Sequence, residues 1–365
     1  MVPAPGGRVA EPVYRPVLTS RRGELEALVH LDSATAPLVA PVLHVSPTDT
    51  GLLGLPGLLG RLPAGLVPAV DVCALPDGPD GELARWGVPV LPVIGLSCGD
   101  RRLAEHGAAC RAYDRGAVVR LRVGRDRAGP DATTTAVERV WRRAGLVPEQ
   151  CDLLVDAGDV CCAADLRVAE PRVRRLVDWA CRHAWRTVTV ASGGMPPSLS
   201  RLRIDEPIRV DRWDWLFWRR LADLGVGYGD YGVVPAPPGD AEPGDRLPTV
   251  RYTAEDGWWI YRWSRRGGRG DERFADLCRT LVTAPHWPPA GADFSWGDHE
   301  LLRRARRVTG AGSPANWTAW STSHHLAHVL AALTGPVDRR RPGPSPGGED
   351  GFTRPHRGGE HRWSR

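Results

Sequence analysis

The chain contains no lysine: every one of its 48 basic residues, in a length of 365, is arginine. A P-loop lysine, a Schiff-base lysine and a lysine general base are therefore excluded. Isoleucine is scarce, at four residues, and an Ala, Arg, Gly and Pro bias runs throughout, as in a GC-rich bacterial genome. No run of about 18 apolar residues occurs, so nothing reads as a membrane-spanning helix. None of the eight cysteines (Cys73, Cys98, Cys110, Cys151, Cys161, Cys162, Cys181, Cys278) stands in a C-x-x-C pair, and adjacent Cys161 and Cys162 lack a usual zinc spacing. Met1 to Pro12 has no apolar h-region. The expectation is a cytoplasmic chain without a secretory leader, its cysteines reduced thiols and mostly small core residues. Gly51 to Gly60 lacks G-x-G-x-x-G, and Gly193-Gly194 runs into Met-Pro-Pro, so neither is a phosphate fingerprint.

Turn residues are abundant, with 42 Gly and 34 Pro. The net charge of +5 is uneven: seven Arg against four acids place +3 of it between Pro336 and Arg365, leaving +2 on the body. A near-neutral body lacks the basic footprint of a dedicated nucleic-acid binder.

Eight short apolar runs recur with helical stretches between them: Tyr14–Leu18, Leu38–Val45, Leu66–Val72, Val88–Leu96, Ala117–Val123, Asp152–Asp156, Thr187–Ser192 and Val226–Val234. This alternation predicts a parallel sheet with right-handed crossovers. Eight units in about 220 residues match a (β/α)8, TIM-barrel-like fold. A doubly wound open parallel sheet is the alternative, because periodicity does not report closure. The expected organisation is a disordered N-terminus over 1–12, a barrel over 13–234 and a Pro/Gly-rich loop over 235–249. A C-terminal α-rich extension follows over 250–335, with a hairpin (Val250–Thr253, Trp258–Trp263) and three helices near 271–283, 297–308 and 320–333. A disordered Gly/Pro/Arg-rich tail covers 336–365.

In such a barrel, polar groups at the C-terminal ends of strands face the site. That selects His44, Asp71, Arg120, Arg122, Asp156 with Asp159, Ser192 and Asp230. Acids, a histidine and arginines around one mouth suit a divalent metal with an anionic substrate, or metal-free acid–base chemistry. An Asp after a strand also serves as a helix cap or turn residue, with no chemistry implied. In a second cluster on a predicted helix, His328 shares a face with His325, three residues before it, and with His324, four before it, without the glutamate of H-E-x-x-H. Fourteen of fifteen tryptophans follow residue 140, and Trp213, Trp215 and Trp218 with Phe217 are read as packing on the barrel.

Several short motifs occur in a fixed order. They are Tyr14-Arg-Pro-Val-Leu18 with Gly23-Glu24-Leu25-Glu26-Ala27-Leu28, Pro41-Val-Leu-His-Val45, Val70-Asp71-Val72, Leu154-Val-Asp156, Tyr228-Gly-Asp-Tyr231, Arg251-Tyr-Thr253, Phe294-Ser-Trp-Gly-Asp298 and His324-His325-Leu326. In this order they resemble the bacterial and prophage Beta protein family, named for the middle component of a satellite-phage gop–beta–cII locus. The resemblance spans about residues 13 to 333. It implies association with phage-defence loci, beside a toxic or effector protein, and no defined reaction. The family tends to carry Lys where this chain has Thr19, and Glu where it has His44.

Two functions follow as expectations. In the first, a barrel-mouth pocket binds or processes a small anionic, nucleotide- or phosphate-like ligand. Glu24, Asp71, Asp156 and Asp230 would supply acid–base or divalent-metal chemistry, and Arg120, Arg122, His44, Ser192, His324 and His325 would bind the ligand. In the second, the chain is a non-enzymatic regulator that restrains a partner protein from a neighbouring gene through its Trp-rich C-terminal region.

Overall fold

The computed structural model describes residues 12–46, 54–76, 82–124, 129–236, 247–264 and 270–335. The expected disordered segments 1–11 and 336–365, and 237–246 of the expected loop, lie outside them. The chain divides into two units, Met1–Leu333 and Thr334–Arg365.

Eleven strands are described: β1 (Val17–Thr19), β2 (Val42–His44), β3 (Ala69–Asp71), β4 (Leu91–Gly95), β5 (Ala117–Arg122), β6 (Cys151–Asp159), β7 (Thr187–Gly193), β8 (Pro207–Asp211), β9 (Gly227–Asp230), β10 (Thr249–Ala254) and β11 (Gly257–Arg262). The α-helices are α1 (Arg22–Val29), α2 (Leu55–Leu59), α3 (Asp100–Ala112), α4 (Pro130–Ala144), α5 (Ala163–Ala180), α6 (Trp213–Arg220), α7 (Gly270–Val282), α8 (Trp296–Ala305) and α9 (Pro314–Thr334). The larger sheet is parallel throughout, in the order β1-β2-β3-β4-β5-β6-β7-β9. Its two ends meet: Tyr14, just before β1, bridges to Tyr228 of β9, and the Arg15 N–H donates to the Tyr228 carbonyl at 3.0 Å. The sequential order and this contact make a nearly closed (β/α)8, TIM-barrel-like fold and dispose of the open doubly wound sheet.

Helix α4 shows how the local sequence sets its elements. Pro130 opens it, Asp131 lies in its first turn, and Gly145 ends it in the left-handed conformation at φ 69°. Val137, Val140, Trp141 and Ala144 make the buried stripe that covers the barrel wall. Each such buried aliphatic side chain contributes about 1.5–3 kcal/mol of burial free energy. Elsewhere the crossovers are reduced: α2 has five residues, and only a short 3-10 turn (Leu83–Arg85) is described between β3 and β4.

Strand β8, between the seventh and eighth barrel strands, is a feature the apolar pattern does not announce. It joins a small antiparallel sheet in the order β10-β11-β8. The hairpin packs on α7 and α8 through Val250, Tyr252, Tyr261, Phe274 and Leu301, with Trp317 and Trp320 of α9 buried in the same cluster. The other part of α9 sends Leu326, Val329 and Leu330 against Leu18, Leu25, Leu28 and Tyr228 on the barrel wall. Helix α9 thus fills the eighth helical place of the barrel. No helix among the described residues is long and apolar enough to cross a membrane.

Candidate functional site

Strand alternation decides which side chains enter the barrel. Val17, Val42, Ala69, Val93, Val118, Leu154, Ala191 and Tyr231 form the packed lumen, while Leu43, Val70, Val119, Leu121, Leu153, Val155 and Val190 face the helices. One inward step further toward the C-terminal ends are Thr19, His44, Asp71, Arg120 and Asp156, and a second step on β5 is Arg122. Thr19, His44 and Asp71 are neighbours in register across β1, β2 and β3.

Arg120 organises this layer. Its Nη1 donates to Asp71 Oδ2 at 2.6 Å, and its Nε and Nη2 donate to Asp156 Oδ2 at 3.0 and 2.8 Å. Nη2 also reaches the Tyr231 hydroxyl at 2.7 Å, and that hydroxyl donates to Asp156 Oδ1 at 2.7 Å. The backbone N–H groups of Cys73 and Gly158 donate to Asp71 Oδ1 and Asp156 Oδ1, both at 3.0 Å. Arg122 stands above, its guanidinium 3.4 Å from Asp71 and 3.8 Å from Asp156, and its side chain is 26% exposed. His44 Nδ1 lies 3.6 Å from Asp71 Oδ2, an ion-pair rather than a hydrogen-bond separation.

Burial works to raise both acids, but their partners win. For Asp71, the His44 ring nitrogen and the Arg120 and Arg122 guanidinium groups hold the carboxyl well below the usual carboxylate range. For Asp156, Arg120 and the Tyr231 hydroxyl hold it below that range. Burial, with Asp156 next, pushes the Tyr231 phenol up. Both acids are thus carboxylates whose four oxygens already accept from protein donors. A divalent metal held here by these acids would have to displace the Arg120 guanidinium.

Glu24 lies apart from this cluster. It is buried in the first turn of α1 and accepts from the hydroxyl of Thr19 and, at 3.2 Å, from its N–H. Thr19, Arg21, Arg22 and Glu24 line a cleft of about 300 Å³ with Val234 and Pro235 beyond β9 and Pro314, Ala315 and Thr318 of α9. This is at the small end of ligand-site volumes. Thr19 joins the cleft to the row that holds His44 and Asp71.

Asp230, Ser192, His324 and His325 are not at the mouth. Tyr228 packs outside and Tyr231 inside, so Asp230 faces outward; Ser192, its neighbour in register, is likewise on the outer face with Val188 and Val190. Asp230 accepts from the hydroxyls of Tyr14 at 2.6 Å and Tyr228 at 2.8 Å, and sits 2.8 Å from His325 Nε2. Burial would raise this carboxyl, but His325, Arg212 and Tyr14 hold it low. The other His325 nitrogen lies 2.8 Å from the Thr253 hydroxyl. Asp230, His325 and Thr253 have the connectivity of a hydrolase triad, yet each is no more than 1% exposed, so no substrate reaches the hydroxyl. His324 faces Asp298 Oδ2 at 2.9 Å and the Thr253 carbonyl at 2.8 Å and stacks on Tyr252. The two histidines therefore point to different carboxylates and fasten α9 to β9, to the hairpin and to α8. Asp159 is exposed at the end of β6, where its Oδ1 accepts from the Ala236 N–H at 2.9 Å.

Sequence reasoning missed Tyr231 and Asp298, and also Arg212 and Asp214, which pair at 3.1 Å and both bond the Tyr228 hydroxyl beside Asp230. Tyr231 was detectable: adjacent residues of a strand face opposite ways, so Asp230 and Tyr231 compete for the lumen and only one enters.

The fold stands on this chain's own strand order. Among solved structures, 3-hexulose-6-phosphate synthase is similar at 13% identity over 60% of this chain and 87% of that one, with a TM-score of 0.33. The Bacillus subtilis spore coat polysaccharide biosynthesis protein SpsE matches at 13% identity over 61% and 60%, TM-score 0.35. Triosephosphate isomerase from Bartonella henselae matches at 12% identity over 59% and 90%, TM-score 0.32. No curated protein matches the sequence. The family model described as Beta protein matches residues 14–331, nearly the whole described chain, and the protein belongs to the Beta protein family.

Proposed function

We propose that the barrel mouth binds a small anionic ligand of the phosphate or nucleotide class, with Arg122 as the contacting cation. The observation that carries this reading is the division of labour between two arginines on one strand. Arg120 is buried and spent on Asp71, Asp156 and Tyr231. Arg122 holds the same carboxylates only at 3.4 and 3.8 Å and reaches solvent. A guanidinium over neutralised acids can meet the oxygens of an incoming anion with paired N–H donors. The cleft beside Thr19, with Arg21 and Arg22 on its wall, gives room for the rest of a small molecule.

A place in prophage or defence loci is part of this proposal, and ligand sensing or processing is compatible with it. The regulator reading has less support, because Trp258, Trp317 and Trp320 are buried in the protein's own core. The test is thermal unfolding of the full chain with inorganic phosphate, pyrophosphate and a nucleoside monophosphate in turn. Ligand at 100 times its Kd stabilises by about 2.7 kcal/mol. A rise in midpoint that Arg122→Gln abolishes supports the reading; no rise with any of the three overturns it.

A further inference from the structure

Cys73, Cys98 and His106 converge on the C-terminal face of the barrel, although 24 and 7 residues separate them along the chain. Cys73 follows β3, Cys98 lies in the connection from β4 to α3, and His106 is on α3. One ligand atom from each lies within 4.8 Å of the other two, and the sulfurs are 3.1 Å apart. The three ligand atoms lie close enough to share one ion, and tetrahedral Zn–S bonds of about 2.3 Å with a Zn–N bond of about 2.0–2.1 Å would part the sulfurs to about 3.8 Å. We propose that these three residues form a Cys2His site for a zinc ion, with the fourth position open to water or a ligand.

A second observation is independent of the distances. His106 is fully buried, and its ring nitrogens make no hydrogen bond of good geometry; the polar group they interact with is the Cys73 thiol of the same triangle. Burying an imidazole without a well-formed hydrogen bond is costly, and buried polar groups are otherwise paired. A metal bond to one nitrogen removes most of that cost. Cys73 is exposed while Cys98 is buried, so the ion has an entry path and a solvent-facing coordination position. The neighbouring backbone is braced: Arg102 of α3 donates to the carbonyls of Leu75 and Pro76 at 3.3 and 2.9 Å, fastening the segment after Cys73 onto the helix that carries His106. The Cys73 N–H is anchored on Asp71, so the site adjoins the mouth without using its carboxylates as ligands. The proposal does not depend on anion binding by Arg122.

The test is metal uptake by the reduced full chain, loaded with zinc alone and then with cobalt alone. Cys73→Ser changes an exposed side chain and is the variant least disruptive to the fold. Cys162→Ser/Cys181→Ser removes two other exposed thiols as the control. The expected result is one zinc per chain, and a thiolate-to-cobalt charge-transfer band, in the wild type and the control, with both lost in Cys73→Ser. His106→Gln keeps both thiols and loses most of the affinity. Zinc uptake unchanged in Cys73→Ser, or no uptake by the reduced wild type, overturns the proposal. So does a Cys73–Cys98 disulfide in protein purified without reductant, if reduction then restores no zinc binding, because the pair is in that case a redox couple.

Discussion

Arg120 spans the barrel lumen from Asp71 on β3 to Asp156 on β6, with contacts of 2.6 and 2.8 Å, and all three side chains are no more than 4% exposed. This guanidinium lies between the two buried carboxylates and bonds both, with Arg122, His44 and the Tyr231 hydroxyl completing their surroundings. Desolvation makes such an ion triad a doubtful source of net stability, but removing one member strands the others.

Arg120→Met is therefore expected to cost about 3–5 kcal/mol in urea unfolding, the scale for a broken buried ion pair. Adding Asp71→Asn should recover part of the loss. A single variant within about 0.5 kcal/mol of wild type would contradict the assignment of Arg120 as the keystone of the lumen.

Tyr231→Phe tests the polar closure of the same layer. The hydroxyl donates to Asp156 and accepts from Arg120, so its loss leaves two buried groups each short of a partner. The expected cost is about 1–3 kcal/mol, with an unchanged secondary-structure spectrum.

Acid stability follows from Asp152, Asp156 and Asp230. Burial opposes ionisation of each, yet Arg186 and Arg15 hold Asp152 below the ordinary range, as Arg120 does for Asp156 and His325 and Arg212 do for Asp230. In the unfolded chain an Asp titrates near about 3.9. The folded state binds fewer protons, so the stabilisation from these groups is fully present above that pH and is lost as pH falls below it. Unfolding free energy measured from pH 7 to 3 should hold through pH 5 and fall steeply below about 4. A stability that rises on acidification from pH 5 to 3 would contradict this sign.

Gly107→Ala probes the packing of α3 on α4. A Cβ at Gly107 would sit 2.1 Å from the Ala144 carbonyl oxygen, a clash with backbone that no rotamer relieves. Overpacking of this kind costs about 1–3 kcal/mol, readable as a lower urea midpoint.

The barrel was legible because parallel strands covered on both faces read as continuous apolar runs, and eight of them repeat with helices between. Strand β8 was not, since Pro207–Asp211 is half-exposed and its partner lies in a hairpin some 50 residues later. Asp71, Arg120, Arg122, Asp156 and His44 stand together at the strand ends, where strand-end position alone places them. Asp230 met the same criterion and faces outward, because the alternation phase of β9 is set by Tyr228 and Tyr231 packing on opposite sides of the wall. His324 and His325 read as a ligand pair, but the elements packed against α9 supply a different carboxylate to each. Cys73, Cys98 and His106 have no local spacing signal; only the placement of consecutive strands β3 and β4 side by side brings them together.

Calorimetric titration of the full chain with pyrophosphate at low salt, wild type beside Arg122→Gln, reads the anion site at the barrel mouth itself. Because Arg122 also steadies the buried Asp71 carboxylate, urea unfolding of both proteins separates a loss of fold from a loss of affinity. Saturable binding to the wild type is expected, with affinity about tenfold weaker or worse in the variant, the loss of one charge-assisted contact of about 1.5 kcal/mol. Equal affinity in the two proteins, or no heat of binding in either, would contradict an anion site at the barrel mouth.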